Sequence, residues 1–207
     1  MTTFARAAPA ALMLALILAP AGCKPDRQPV FNPDGLAGPR VTPAIPKPEF
    51  TLTGTDGKPF DFQRETEGDV ALLFFGYTHC PDVCPVHLAN IAAALQKLSP
   101  QVNNAVKVVF VTTDPDRDTP QVLRTWLDKF DPRFIGLRGD TATVGGIMRR
   151  LKLGAAIPEP ATGGGEYTIG HSSLVLAFTR DDSAHVVYPF GIRQADWARD
   201  LPRLVGS

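Results

Sequence analysis

The run Val70–Phe75 (VALLFF) is apolar at every position, the pattern of a strand covered on both faces in a parallel or mixed sheet. Val106–Val111 (VKVVFV) repeats it, and Phe134–Leu137 and Ser173–Phe178 are further runs that predict strands. Upstream, Phe50–Phe62 (FTLTGTDGKPFDF) alternates in character around Thr55-Asp56-Gly57-Lys58, and Asp-Gly between short β-type runs predicts a hairpin. Asp181-Asp182-Ser183 predicts a turn into a last strand over His185–Tyr188.

Helical spacing fills the intervals. Leu88, Ile91, Ala92, Leu95 and Leu98 share a face of a helix predicted over Pro85–Leu98, with Pro85 at its first position and Cys84 as its cap. Thr119 and Pro120 open a second helix, whose apolar stripe is Val122, Leu123, Trp126, Leu127 and Phe130. A third starts at Asp140 or Thr141 and reaches Leu151, with two glycines weakening its middle. A fourth runs from Gln194 toward Leu204. Strands alternating with helices predict an α/β sandwich with a central sheet.

The first 48 residues break this pattern. Arg6 precedes an apolar run, Ala10–Ala19, that ends at Ala21-Gly22-Cys23. The run is shorter than the ~20 residues a spanning helix needs and reads as a secretory signal with a lipoprotein-like cleavage site. Cleavage would leave Cys23 as a lipid anchor; an uncleaved short anchor is the alternative, since Pro20 stands where such sites usually carry Leu. Both put the folded part outside the cytoplasm on a membrane, at the periplasmic face in a bacterium. Lys24–Pro48 holds seven prolines in 25 residues, which predicts an extended, semi-rigid spacer. The expected organisation is a signal over 1–22, an anchored linker over 23–48 and one domain over 49–207.

Composition narrows the function classes. Hydrophobic residues at 44% and charged residues at 20% exclude a disordered chain and a multi-span membrane protein. Zero net charge removes any general attraction to phosphate backbones, so nucleic acid is not an expected partner. Three cysteines are too few for a disulfide scaffold. A monomer is the default expectation.

The chemistry lies between a strand end and a helix start, in Gly76-Tyr77-Thr78-His79-Cys80-Pro81-Asp82-Val83-Cys84-Pro85. Open α/β sheets place sites there. Two thiols four positions apart can close a small disulfide ring or grip one ion, and the helix end should favour the thiolate at Cys84. His171, read as opening a core strand after a glycine-rich loop, is the best third ligand, although a histidine there can also be purely structural. His79 and His87 could instead complete a Cys2His2 zinc site, but the spacing is tight for one and His87 is expected to face solvent. His185 is expected at the surface. Two thiolates with one imidazole suit Cu(I) and can hold Cu(II). Asp114-Pro115-Asp116-Arg117-Asp118 is expected to cap a helix and to carry an internal Arg117 ion pair rather than bind a hard cation.

Together, GYTHCPDVCP after a buried strand, DPDRDTP after the next and a late His-Ser pair resemble the Sco/SenC family of copper-binding, thioredoxin-like proteins over roughly Phe50–Leu204. The resemblance implies a thioredoxin-like three-layer sandwich and copper ligation by Cys80, Cys84 and His171. It also implies delivery of copper to the dinuclear copper site of cytochrome c oxidase, or reduction of thiols on that target. Asp82 would tune the cysteines and the docking surface. One departure stands out: the family usually has aspartate just before this histidine, and this chain has Gly170. Loss of a carboxylate partner predicts a looser histidine ligand unless Glu166 or a carboxylate near Asp114 substitutes. As a reductase the chain would be unusual, with three residues between its cysteines instead of two; as a thiol peroxidase it would have Thr78 one position out of place.

Overall fold

The computed structural model describes residues 1–2, 32, 34–160 and 167–206. In chain order the elements begin with β1 (Arg40–Pro46), β2 (Thr51–Gly54), β3 (Pro59–Asp61), α1 (Phe62–Glu65), β4 (Val70–Gly76), α2 (Val83–Leu95), α3 (Pro100–Asn104) and β5 (Val106–Thr112). They continue with α4 (Pro120–Leu127), β6 (Ile135–Arg138), α5 (Thr141–Arg150), β7 (Ile157–Glu159), β8 (Thr168–Gly170), β9 (Val175–Phe178), β10 (Ser183–Tyr188) and α6 (Gln194–Val205).

The two most apolar runs lie side by side at the centre of the sheet. β4 and β5 pair in parallel from Val70 with Val106 to Gly76 with Thr112, and β6 continues that parallel block. The other strands join antiparallel, giving the order β1-β10-β9-β4-β5-β6-β2-β3 and hence a mixed sheet. Side chains alternate between its faces. Val70, Leu72 and Phe74 meet Leu88 and Ile91 of α2, Leu123 and Leu127 of α4 and Trp197 and Leu201 of α6. Ala71, Leu73 and Phe75 lie in the opposite core with Phe62 of α1 and Val144, Ile147 and Met148 of α5. Helices on both faces make the three layers. The β2–β3 hairpin turns through Gly57, whose φ of +79° only glycine adopts without strain.

Four sequence expectations need correcting. The stretch 23–48, read as spacer, contains a strand: β1 pairs antiparallel with β10, with Val41 and Ile45 packed against the core. Pro43 interrupts it, which an edge strand tolerates because one side has no partner; that composition concealed the strand. Residues before it are fastened too, since the Ala37 amide donates to buried Asp200 at 2.6 Å and Arg203 donates to the Gly35 carbonyl at 3.1 Å. The folded part therefore starts well before residue 49. Next, α2 begins at Val83 and is capped by Asp82, whose carboxylate accepts the Val83 amide at 2.6 Å. Pro85 then occupies the third position of the first turn, where a missing N–H breaks no helical bond. Third, His171 does not open β9; it follows β8 in an irregular segment, 171–174. Fourth, His87 is buried.

The short β7–β8 ribbon was invisible in the sequence, because β7 has three residues and one is proline. Asp140, not Thr141, caps α5. Among the described residues no helix is long and apolar enough to cross a membrane. The signal-like stretch, Cys23, Glu166 and the triple glycine lie outside the described residues.

Candidate metal centre

Gly76 ends β4 directly under the helix start. A Cβ there would sit 2.6 Å from Cys84 Sγ and 2.9 Å from the Phe110 ring, so glycine is what lets the sulfur approach the sheet. Cys84 is fully buried and Cys80 is nearly so. With Asp82 as the cap, the Cys84 amide belongs to the first helical turn, where amides have no partner inside the helix. It donates to Cys80 Sγ at 3.4 Å.

The helix end thus acts on Cys80 rather than on Cys84 as expected. Hydrogen bonding from the Cys84 thiol, then from His171 and from the Cys84 and Asp82 amides, holds the Cys80 thiol down at about 4. Burial pushes the Cys84 thiol well above its ordinary value, and the charge at Cys80 adds to this. One thiolate and one thiol share the pocket, both free of disulfide.

His171 reaches the pair from the far side of the sequence. Its Nε2 lies 3.6 Å from Cys84 Sγ, and its Nδ1 lies 2.8 Å from the Ser172 carbonyl. A carbonyl only accepts, so Nδ1 donates to it and Nε2 is the ring nitrogen turned toward the sulfurs. The Tyr77 ring packs edge-on against this imidazole at 5.6 Å. The three ligand atoms of Cys80, Cys84 and His171 all lie within 4.8 Å of one another, with soft sulfur and borderline nitrogen donors suited to copper or zinc rather than to magnesium or calcium.

Gly170 offers His171 no side-chain carboxylate. The ring is held by the Ser172 carbonyl, and a Cβ at Gly170 would meet Glu159 Oε1 at 2.7 Å. Asp114 does not substitute: it pairs with Arg117 and accepts from Tyr167 Oη at 2.8 Å.

The acidic run fastens the loops around the site. Asp118 is fully buried and accepts from the Thr78 amide at 3.0 Å, the Thr78 hydroxyl at 2.6 Å and the Thr112 hydroxyl at 2.6 Å. Thr119 caps α4 in its place. Arg117 forms the expected ion pair with Asp114 and also lies 3.7 Å from the centre of the Tyr167 ring, donating to that residue's carbonyl at 2.9 Å. These tertiary roles were not evident from the sequence; hydroxyls at Thr78, two residues past β4, and at Thr112, the last residue of β5, were the available signal for a buried acceptor.

The remaining histidines stay outside the three-ligand group. His79 is exposed with Nδ1 3.1 Å from Thr78 Oγ1, and His185 is half-buried with Nε2 2.7 Å from Asp181. Asp82 is exposed and its observed contact is the helix cap. Three large apolar side chains are exposed: Val86 on α2 at 42%, Phe190 in the loop after β10 at 47% and Ile157 on β7 at 57%. Phe190 rests on His87, and Ile157 is paired with Gly170. Apolar side chains left in water beside a site suit a protein partner.

A family model described as SCO1/SenC matches residues 40–206. The chain is 33% identical over 123 residues to Protein SCO2, mitochondrial, of Saccharomyces cerevisiae, covering 59% of this chain and 40% of that protein. It spans between 34% and 60% of the length of four such curated relatives. Among solved structures it is similar to Bradyrhizobium japonicum ScoI with copper bound, at 34% identity and a TM-score of 0.67, covering 76% of this chain and 98% of that one. It is also similar to apo Sco1 from Thermus thermophilus, at 30% identity and a TM-score of 0.71, covering 82% and 96%. The thioredoxin-like α/β fold expected from the motifs is the fold observed.

Proposed function

The chain belongs to the SCO1/SenC family, and from that premise we propose that it is a copper metallochaperone, holding one copper ion through Cys80, Cys84 and His171 as cargo. The observation that carries this reading is the convergence of two sulfurs and one imidazole nitrogen within 4.8 Å, prepared by a bond from Nδ1 that leaves Nε2 for the ion. The copper-bound state of the related ScoI supports it. Copper delivered as Cu(I) or Cu(II) would pass by ligand exchange to cysteines and histidines of a docked acceptor, the copper-receiving subunit of cytochrome c oxidase. Val86, Phe190 and Ile157 supply an apolar rim for that partner, and the exposed carboxylate of Asp82 lies beside it. Cys23 would tether the domain to the membrane by a lipid outside the cytoplasm.

A second reading has its own observation. A thiolate at Cys80 next to a protonated thiol at Cys84 is the arrangement a thiol-disulfide oxidoreductase needs, with one sulfur attacking a partner disulfide and the other resolving it. The two separate at His171. In a cell lacking its own copy of this protein, wild type should restore the copper content of the oxidase. His171→Ala should fail to do so while still exchanging disulfides in vitro. Restoration by His171→Ala would assign the function to thiol exchange.

A further inference from the structure

His87 joins the helix that carries one thiol to the segment that carries the imidazole. It stands three residues beyond Cys84 on α2, and side chains at that spacing share a helix face. The ring is 1% exposed, and its Nε2 lies 3.0 Å from the Ser173 carbonyl. Because a carbonyl only accepts, Nε2 carries the hydrogen. Phe74 and Phe190 hold the ring edge-on from two sides, at 5.1 and 5.8 Å between centroids.

The segment 171–174 forms neither helix nor strand. Its internal bonds, from His171 Nδ1 to the Ser172 carbonyl and from the Leu174 amide to Ser172 Oγ, set its local shape but not its distance from α2. Among the described residues two side-chain hydrogen-bond contacts cross that gap: His171 Nε2 to Cys84 Sγ, and His87 Nε2 to the Ser173 carbonyl. The first changes whenever the thiol changes its partner. The second stays.

We propose that His87 is a positioning residue for this site: by holding the Ser173 carbonyl to α2 it sets the spacing between His171 and Cys84. Its consequence for copper rests on the reading above, but the positioning is a property of the metal-free chain. Partners of this kind, acting through a ligand's surroundings, change metal affinity ~10 to 100-fold. A bulky apolar residue at 87 would leave the Ser173 carbonyl without its donor and let the segment drift.

The test compares wild type with His87→Leu, which keeps bulk without a donor, and His87→Gln, which restores a donor. In the reduced, metal-free proteins the ring signals of His171 are read by NMR, and Cu(I) affinity is then measured by competition with a coloured chelator. The expected result is that His87→Leu shifts the His171 signals and weakens Cu(I) binding about tenfold, while His87→Gln stays close to wild type in both. Unchanged His171 signals and affinity in His87→Leu would overturn the proposal. So would His87→Gln behaving like His87→Leu, since ring packing and not the hydrogen bond would then be responsible. If His87→Leu does not fold, His87→Met takes its place. Failure of wild type to bind Cu(I) would remove the copper reading, while the metal-free comparison still decides the positioning role.

Discussion

Cys84 Sγ and His171 Nε2 stand 3.6 Å apart across 87 residues of sequence. The sulfur is fixed by the first turn of α2 against Gly76, and the nitrogen by a segment that only tertiary contacts hold in place. Chain topology brings them together because β4 and β9 are antiparallel neighbours. The end of β4 therefore faces the beginning of β9, and the connections at that end share one layer.

The Cys80 thiol, held down at about 4, should be ionised throughout the neutral range. Alkylation of the reduced protein by iodoacetamide is expected to modify Cys80 first, at a rate nearly independent of pH between about 6 and 8. An ordinary cysteine thiol gains roughly tenfold per pH unit over that interval. Preferential modification of Cys84, or a rate that climbs like that of free cysteine, would contradict the assignment of the thiolate.

Gly76→Ala places a methyl group 2.6 Å from Cys84 Sγ, where the strand and helix cannot separate without cost. Overpacking of this kind costs about 1–3 kcal/mol, and the displaced sulfur should also disturb metal binding. Denaturant unfolding reads the first effect and copper stoichiometry the second. An alanine variant as stable as wild type would mean that the helix start yields freely.

Burial holds the His87 ring neutral down to about 4, against 6.5 for an exposed histidine. Below about 6.5 the unfolded chain takes up a proton that the folded ring refuses. Stability is therefore unaffected by this group above that pH and falls as pH drops toward about 4, by about 3 kcal/mol in all. Urea midpoints of reduced wild type and His87→Leu should accordingly converge on acidification, since the variant lacks this loss. Parallel pH profiles would show that the ring takes up its proton over the same pH range folded as unfolded.

Much of this was legible in the chain. VALLFF and VKVVFV announced the central strands, because a run buried on both faces has no polar position to disguise it. Asp-Gly located the hairpin, and the CPDVC spacing located the thiols at a strand end. What escaped depends on contacts between distant residues. Pro43 and Pro46 made β1 look like linker, although an edge strand needs partners on one side only. Asp82 took the cap from Cys84 through a side-chain bond to the next amide, which moved the helix start back two residues, from Pro85 to Val83, and transferred the favoured thiolate to Cys80. His87 read as facing solvent and Asp118 as part of a helix cap because their acceptors and donors, the Ser173 carbonyl and the hydroxyls of Thr78 and Thr112, lie on other elements.

Reduced protein titrated with Cu(II) in the absence of oxygen, wild type beside His171→Ala, reads stoichiometry and the visible thiolate-to-copper absorption together. The expected outcome is a coloured complex with one copper per wild-type chain that collapses in the variant. Oxidation of wild type to a Cys80–Cys84 disulfide without retained copper, or an identical complex in His171→Ala, would contradict it.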